Sequence, residues 1–151
     1  MQFSLAQEKQ SDSLNHTSEQ DNKIWFSTIP NTKQKSLEPY YKALKNAEYG
    51  SQRFSVIDQL AAYHMDQANT DSILYYGNLY QKELGLWDKL EDEKKIHYAQ
   101  AYYILGEGNR YNGLLDNSIN WHIKGITSGE EGNSSEGVYR NKIGLAKIYI
   151  L

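Results

Sequence analysis

The stretch AYYILGEGNRYNG, residues 101–113, admits two incompatible readings, and the choice between them decides the fold. YYIL followed by glycines could be a strand feeding a phosphate-binding loop. It equally suits one face of a helix that carries small residues. A dinucleotide loop needs three glycines spaced GxGxxG, the third allowing close packing of helix on strand. Here Gly106 and Gly108 are followed by Tyr111 where that glycine should stand, and Glu107 would set a negative charge beside bound phosphates. Upstream, Ala99 and Tyr102 begin a stripe that continues through Leu105 with Gly106 to Asn109 at helical intervals. The spacing predicts a helix, and the nucleotide-enzyme reading falls with the strand.

The same periodicity extends in both directions. Phe54, Ile57, Leu60 with Ala61, and His64 form one stripe, with Ser51 as its expected N-cap after Gly50. Ile73, Tyr76, Tyr80, Leu84 and Trp87 form another, across Gly77 and Gly85, which lower helix propensity without breaking the pattern. Leu115, Ile119, Ile123 and Ile126 follow Gly113, and Val138, Leu145, Ile148 and Tyr149 run to the end. The two prolines, Pro30 and Pro39, both precede these stripes. The expected fold is all-α, built of antiparallel helix pairs joined by short turns.

Upstream of the stripes, QEKQSDSLNHTSEQDNK (residues 7–23) is polar with a single leucine and cannot bury enough apolar surface to offset its ordering entropy. Residues 1–35 read as a flexible leader, in which IWFSTIP (residues 24–30) is an apolar clump expected to dock on the helices after it, and residues 36–151 as the helical domain. Ser4, Leu5 and Ala6 look like the small-residue end of a secretory signal that lacks its basic start and apolar middle. An exported or periplasmic location is favoured over a cytoplasmic one on this ground, and an ordinary terminus stays open as the alternative.

Sixteen basic against 19 acidic residues give a formal net charge of -3, without the cationic footprint that a phosphate backbone demands, so nucleic acid is not expected as a partner of this segment. The absence of cysteine removes disulfides, thiolate nucleophiles and cysteine-ligated zinc together. No run approaches the roughly 18 to 20 apolar residues that span a bilayer, so no membrane insertion is expected. Thirteen tyrosines against 3 phenylalanines mean that many large side chains bring a hydroxyl needing water or a partner when buried.

Candidates for chemistry are few. His16, His64, His97 and His122 are scattered, and no two share the i, i+4 spacing that grips a metal from one helix face. Glu93 and His97 have that spacing but read as a solvated face. The run Glu91, Asp92, Glu93, Lys94, Lys95 reads as a solvated turn between helix pairs, and Glu130 and Glu131 as part of a loop ending at Gly132 and Asn133. No serine sits in a GxSxG elbow, and no nucleophile has a histidine beside it in local sequence. Catalytic residues, metal ligands and cofactors are therefore not expected, and the chain does not read as an enzyme.

Internal repetition carries more information. Asp71, Ser72 and Ile73 return as Asn117, Ser118 and Ile119, which carries Tyr75 and Tyr76 onto Trp121 and His122. Leu60 with Ala61 returns as Leu105 with Gly106, then as Leu145 with Ala146. The unit is a helix pair, and it resembles the tetratricopeptide repeat. Tyr102, Leu105, Gly106, Gly113, Ser118, His122 and Gly125 match one such unit; Ile57, Leu60, Ala61, His64, Ser72 and Tyr76 match an earlier one. Leu145, Ala146 and Tyr149 begin a third, and Tyr40, Tyr41 and Leu44 suit the second helix of a degenerate leading unit. Asn109 replaces an expected tyrosine, Lys142 replaces the leading aromatic, the closing proline is missing, and the period exceeds the usual value of about 34 residues. The longer period resembles the extended repeats of bacterial regulators, and DSILYY is similar to sensor regions of exported Bacteroidetes kinases and helix-turn-helix regulators.

The resemblance implies a right-handed α-solenoid of about two and a half helix pairs, with Gly106 facing Ser118 where two helices cross at an axial distance of about 8 to 10 Å. It implies a concave groove for a protein or peptide, lined by Asp58, Ala62 and Met65 in the earlier unit and by Gln100, Tyr103, Glu107 and Arg110 in the later one. Tyr103 and Arg110 are the expected anchors, through stacking and charge-assisted hydrogen bonds. His64 and His122, in aromatic repeat positions, are expected to serve packing. The module would be the sensor or scaffold part of a larger bacterial signalling protein. The last helix, starting near Ser134, lacks a following helix to cover its apolar side, so the chain reads as truncated there or as a homodimer through that helix.

Overall fold

The computed structural model describes residues 36–48 and 50–150; the expected leader at 1–35, with its apolar clump, and Leu151 lie outside the described residues. Among the described residues there are six helices and no strand: α1 (Glu38–Asn46), α2 (Ser51–Asp66), α3 (Thr70–Leu86), α4 (Glu91–Tyr111), α5 (Leu115–Glu131) and α6 (Ser135–Tyr149). YYIL lies well inside α4.

Three of the turns share one hydrogen-bond pattern. The amides of Asn69, Leu114 and Ser134 donate to the carbonyls of His64, Asn109 and Gly129 at 2.9, 2.9 and 2.7 Å, closing the ends of α2, α4 and α5. The residue before each donor is left-handed: Ala68 (φ 51°), Gly113 (φ 74°) and Asn133 (φ 53°). This is the Schellman arrangement, which satisfies carbonyls left over at a helix end and turns the chain back on itself. Asn69 and Ser134 then cap the next helix, their side chains accepting from the amides of Ser72 and Gly137. Three boundaries differ from the sequence reading. Glu130 and Glu131, read as part of a loop, form the last turn of α5, which ends at the C-cap Gly132. Gly50, not Ser51, occupies the N-cap of α2. Residues 91–95 form the first turn of α4 rather than a loop, because Glu91, Asp92 and Glu93 favour the positive end of the helix dipole.

The hydrophobic core lies among α2, α3 and the adjoining face of α4: Phe54, Ile57, Leu60, Ala61, Ile73, Tyr76, Tyr80, Leu84, Ala101 and Ile104. Phe54 stacks on Tyr80 and meets Trp87 edge-on, each at 5.1 Å between ring centres. The Tyr80 hydroxyl lies 3.1 Å from His97 Nδ1. Burial depresses the His97 pKa to about 4, so the ring is neutral at pH 7. Arg53 of α2 donates from Nε and Nη2 to Glu83 of α3 at 2.6 and 2.7 Å and from Nη1 to the Leu44 carbonyl, tying three helices at one end.

α4 packs against α2, α3, α5 and α6, so that α2, α4 and α6 form one row across the molecule. On the α5 and α6 side, the buried centre of the contact is made by small and polar residues. The Ser118 hydroxyl donates to the Gly106 carbonyl at 2.8 Å. A Cβ on Gly106 would strike the His122 ring, one on Gly144 would strike the same ring from the opposite side, and one on Gly125 would overlap the Asn141 amide. On the α3 side, Gly77 and Gly108 play the same part, a Cβ at each falling 2.8 Å from Leu105 and Leu74 respectively.

Candidate functional site

The row α2, α4, α6 carries a polar seam. Its first cluster starts at Asp58 of α2, whose carboxylate accepts from the Gln100 amide of α4 and lies 3.8 Å from Arg140 Nη1 of α6. Burial pushes the Asp58 pKa up, against the Arg140 charge and the Gln100 hydrogen bond. Arg140 also donates from Nε to Glu136 at 2.8 Å and places its guanidinium 5.7 Å from the centre of the Tyr103 ring. Tyr103 in turn lies 6.0 Å from His122. Burial, reinforced by the Glu107 charge, pushes the Tyr103 hydroxyl up to about 12, so it stays a neutral phenol.

The second cluster gathers around Glu107, which is 2% exposed. Its Oε2 accepts from Arg110 Nη2 at 2.9 Å and from Lys147 Nζ of α6 at 3.1 Å, while Oε1 accepts from Arg110 Nε at 3.3 Å. Burial alone would raise the Glu107 pKa, but the Arg110 hydrogen bond and the Lys147 and Arg110 charges outweigh it and hold the carboxyl below its ordinary range. The Arg110 guanidinium also covers the Tyr111 ring at 4.4 Å.

Of the residues expected to line a groove, the structure thus brings Asp58, Gln100, Tyr103, Glu107 and Arg110 into one seam. Gln100 and Glu107, at 4% and 2% exposure, are buried and committed to internal partners, which corrects the expectation that they face a ligand. Ala62 stands exposed outside the seam, and Met65 packs on the margin of the hydrophobic core. Sequence reasoning missed Arg140, Lys147 and Asn141, although a signal was present: the offset that carries Leu105 onto Leu145 carries Gln100 onto Arg140 and Glu107 onto Lys147.

The repeat-signature residues divide as well. Leu60, Ala61, Tyr76, Leu105, Gly106, Ser118, His122 and Gly125 are buried, while Ser72, Tyr102 and Leu145 are half-buried. His64 stacks on Tyr76, and Tyr102 stacks on Trp121 at 5.5 Å. Ala146 and Tyr149 are exposed, the latter 72%, so α6 presents to solvent at Ala146 what α4 presents to α5 at Gly106. Among the described residues no group of three or more His, Asp or Glu side chains is arranged to hold a metal ion, and no helix is long and apolar enough to cross a membrane. No family model matches the chain, and neither curated proteins nor solved structures give a match.

Proposed function

We propose that this chain is a protein- or peptide-binding module of tetratricopeptide-like stacked helix pairs, serving as sensor or scaffold in a larger bacterial signalling protein. The observation that carries this reading is the recurrence of one turn geometry at Ala68, Gly113 and Asn133 together with the row α2, α4, α6, which presents the half-buried side chains of Asp58, Tyr103, Arg110 and Arg140 along one face. A peptide laid across that row meets the Tyr103 ring with the Arg140 guanidinium beside it, and further along the Arg110 guanidinium over Tyr111, a combination suited to side-chain stacking and to carboxylate or carbonyl recognition. Titration calorimetry against peptide pools tests the reading. Saturable binding should weaken at least about tenfold in Tyr103→Ala and in Arg140→Ala, each loss corresponding to about 1.4 kcal/mol. Binding indifferent to both substitutions would move the site off this face, and no saturable binding would remove the reading.

A second reading has its own support. α6 exposes Tyr139, Ile143 and Tyr149, followed by its exposed C-cap Ile150, apolar surface of the kind that pairs helices between copies of a chain. A mass that rises with concentration in sedimentation, and is reset by Tyr149→Lys, would favour self-association through α6 over peptide binding.

A further inference from the structure

We infer that His122 is a proton-operated exchange switch at the junction of α4, α5 and α6: a proton entering at Nε2 takes Glu107 in place of the Lys147 ammonium. The geometry determines where the protons stand. The Asn141 Nδ2 group donates to the Ala99 carbonyl at 3.0 Å and to the Gly137 carbonyl at 2.8 Å, so both its hydrogens are spent and its Oδ1 can only accept. Reversing that amide would set an oxygen against two carbonyl oxygens. His122 Nδ1, 3.1 Å from Asn141 Oδ1, is therefore the donor. In a neutral imidazole the other nitrogen is then a bare acceptor.

That other nitrogen, Nε2, is buried without a hydrogen-bond partner. It lies 3.7 Å from Glu107 Oε1, which is also an acceptor. Two acceptors face each other, and a proton between them converts the gap into a charge-assisted bond. The ring has little room to turn away, because the backbones at Gly106 of α4 and Gly144 of α6 close on both of its faces.

The groups facing His122 set the balance. From α4 come Tyr103, Glu107 and Arg110; from α6 come Asn141 and Lys147. Burial acts most strongly and opposes protonation, as do the Lys147 and Arg110 charges, whereas Asn141 and Glu107 favour it, and the net pKa lies below the ordinary value. Once His122 is cationic, three positive groups surround one carboxylate. Arg110 grips both oxygens from the next turn of the same helix, while Lys147 makes a single contact and its side chain is 42% exposed. Lys147 is the group that leaves for water. An α4 to α6 tie is exchanged for an α4 to α5 tie, and acid loosens the C-terminal half of α6 first.

Nuclear magnetic resonance of the full chain, with nitrogen-labelled histidine and lysine, tests this. At neutral pH His122 should carry its proton on Nδ1. During acid titration the His122 ring and Lys147 side-chain signals should move with one midpoint, while amide exchange in the last two turns of α6 speeds several-fold. Lys147→Gln, at an exposed side chain, should raise that midpoint by at least about half a pH unit, and Glu107→Gln should lower it. A proton on Nε2 at neutral pH, Lys147 signals that ignore the His122 midpoint, or a midpoint unmoved by Lys147→Gln would each overturn the switch.

Discussion

Between α2 and α3 the contact is made by large apolar side chains, with Phe54, Ile57, Leu60, Ile73, Tyr80 and Leu84 fully buried; among α4, α5 and α6 the buried centre of the contact is made by glycine, serine, asparagine and histidine, with Tyr102 stacked on Trp121 at its half-buried margin. The first region draws its stability from area removed from water, which depends on the amount of surface and less on its detailed fit. The second brings backbones close enough that His122 and Asn141 fill the whole space, and its polar atoms must then be paired one by one. Truncation should therefore be the damaging change in the first region and enlargement in the second.

Truncation in the apolar region should give the largest effect. Phe54→Ala removes a ring that touches Tyr80, Trp87 and His97 and should lower unfolding free energy by about 3–5 kcal/mol in urea denaturation. A loss below about 1 kcal/mol would show that stability does not reside in this core. Acid comes next. The folded pKa of His97 lies at about 4, below the ordinary 6.5 of the unfolded chain, so the folded state binds fewer protons in that interval. The corresponding stability is present above pH 6.5 and is lost as pH falls toward 4, by on the order of 3 kcal/mol. His64 and His122, also depressed mainly by burial, act in the same direction. Stability independent of pH across this window would contradict neutral burial of the rings.

Smaller effects separate the regions more sharply. Gly106→Leu drives a side chain into the buried His122 ring and should cost about 1–3 kcal/mol through overpacking; an unchanged melting curve would contradict the α4 to α5 register. Ala68→Gly should act oppositely, because alanine at φ 51° is strained where glycine is not; a gain of about 0.5–1 kcal/mol is expected from thermal melts, and a loss would mean that the methyl group packs productively.

Helices were legible in the sequence because each of α2 to α5 keeps an apolar stripe for three or more turns, and Gly106 against Ser118 followed from aligning repeats. Turns were legible where glycine or asparagine takes the left-handed position, at Gly113 and Asn133, and invisible at Ala68, because alanine carries no sequence signal for a positive φ. The start of α4 was hidden because a mixed charge run has the same composition in a loop and in a first helical turn. The α6 members of the seam, Arg140, Asn141 and Lys147, escaped for a different reason. Lys147 reaches Glu107, and Asn141 reaches Ala99, across a separation that no helical period spans. Glycine in the sequence looks mainly like an interruption, whereas Gly77, Gly108 and Gly144 mark close approach, a distinction visible only once the neighbouring helix is in place.

In a stack where every layer touches only the next, either end can peel off independently. Here α4 lies against helices from both halves, so opening that spreads inward from either end of the described helices meets the same central segment, which is still held by two helices of the far half. Protection of backbone amides against solvent exchange should accordingly rise from both ends toward α4, making the segment around Leu105 the last part of the chain to lose its order.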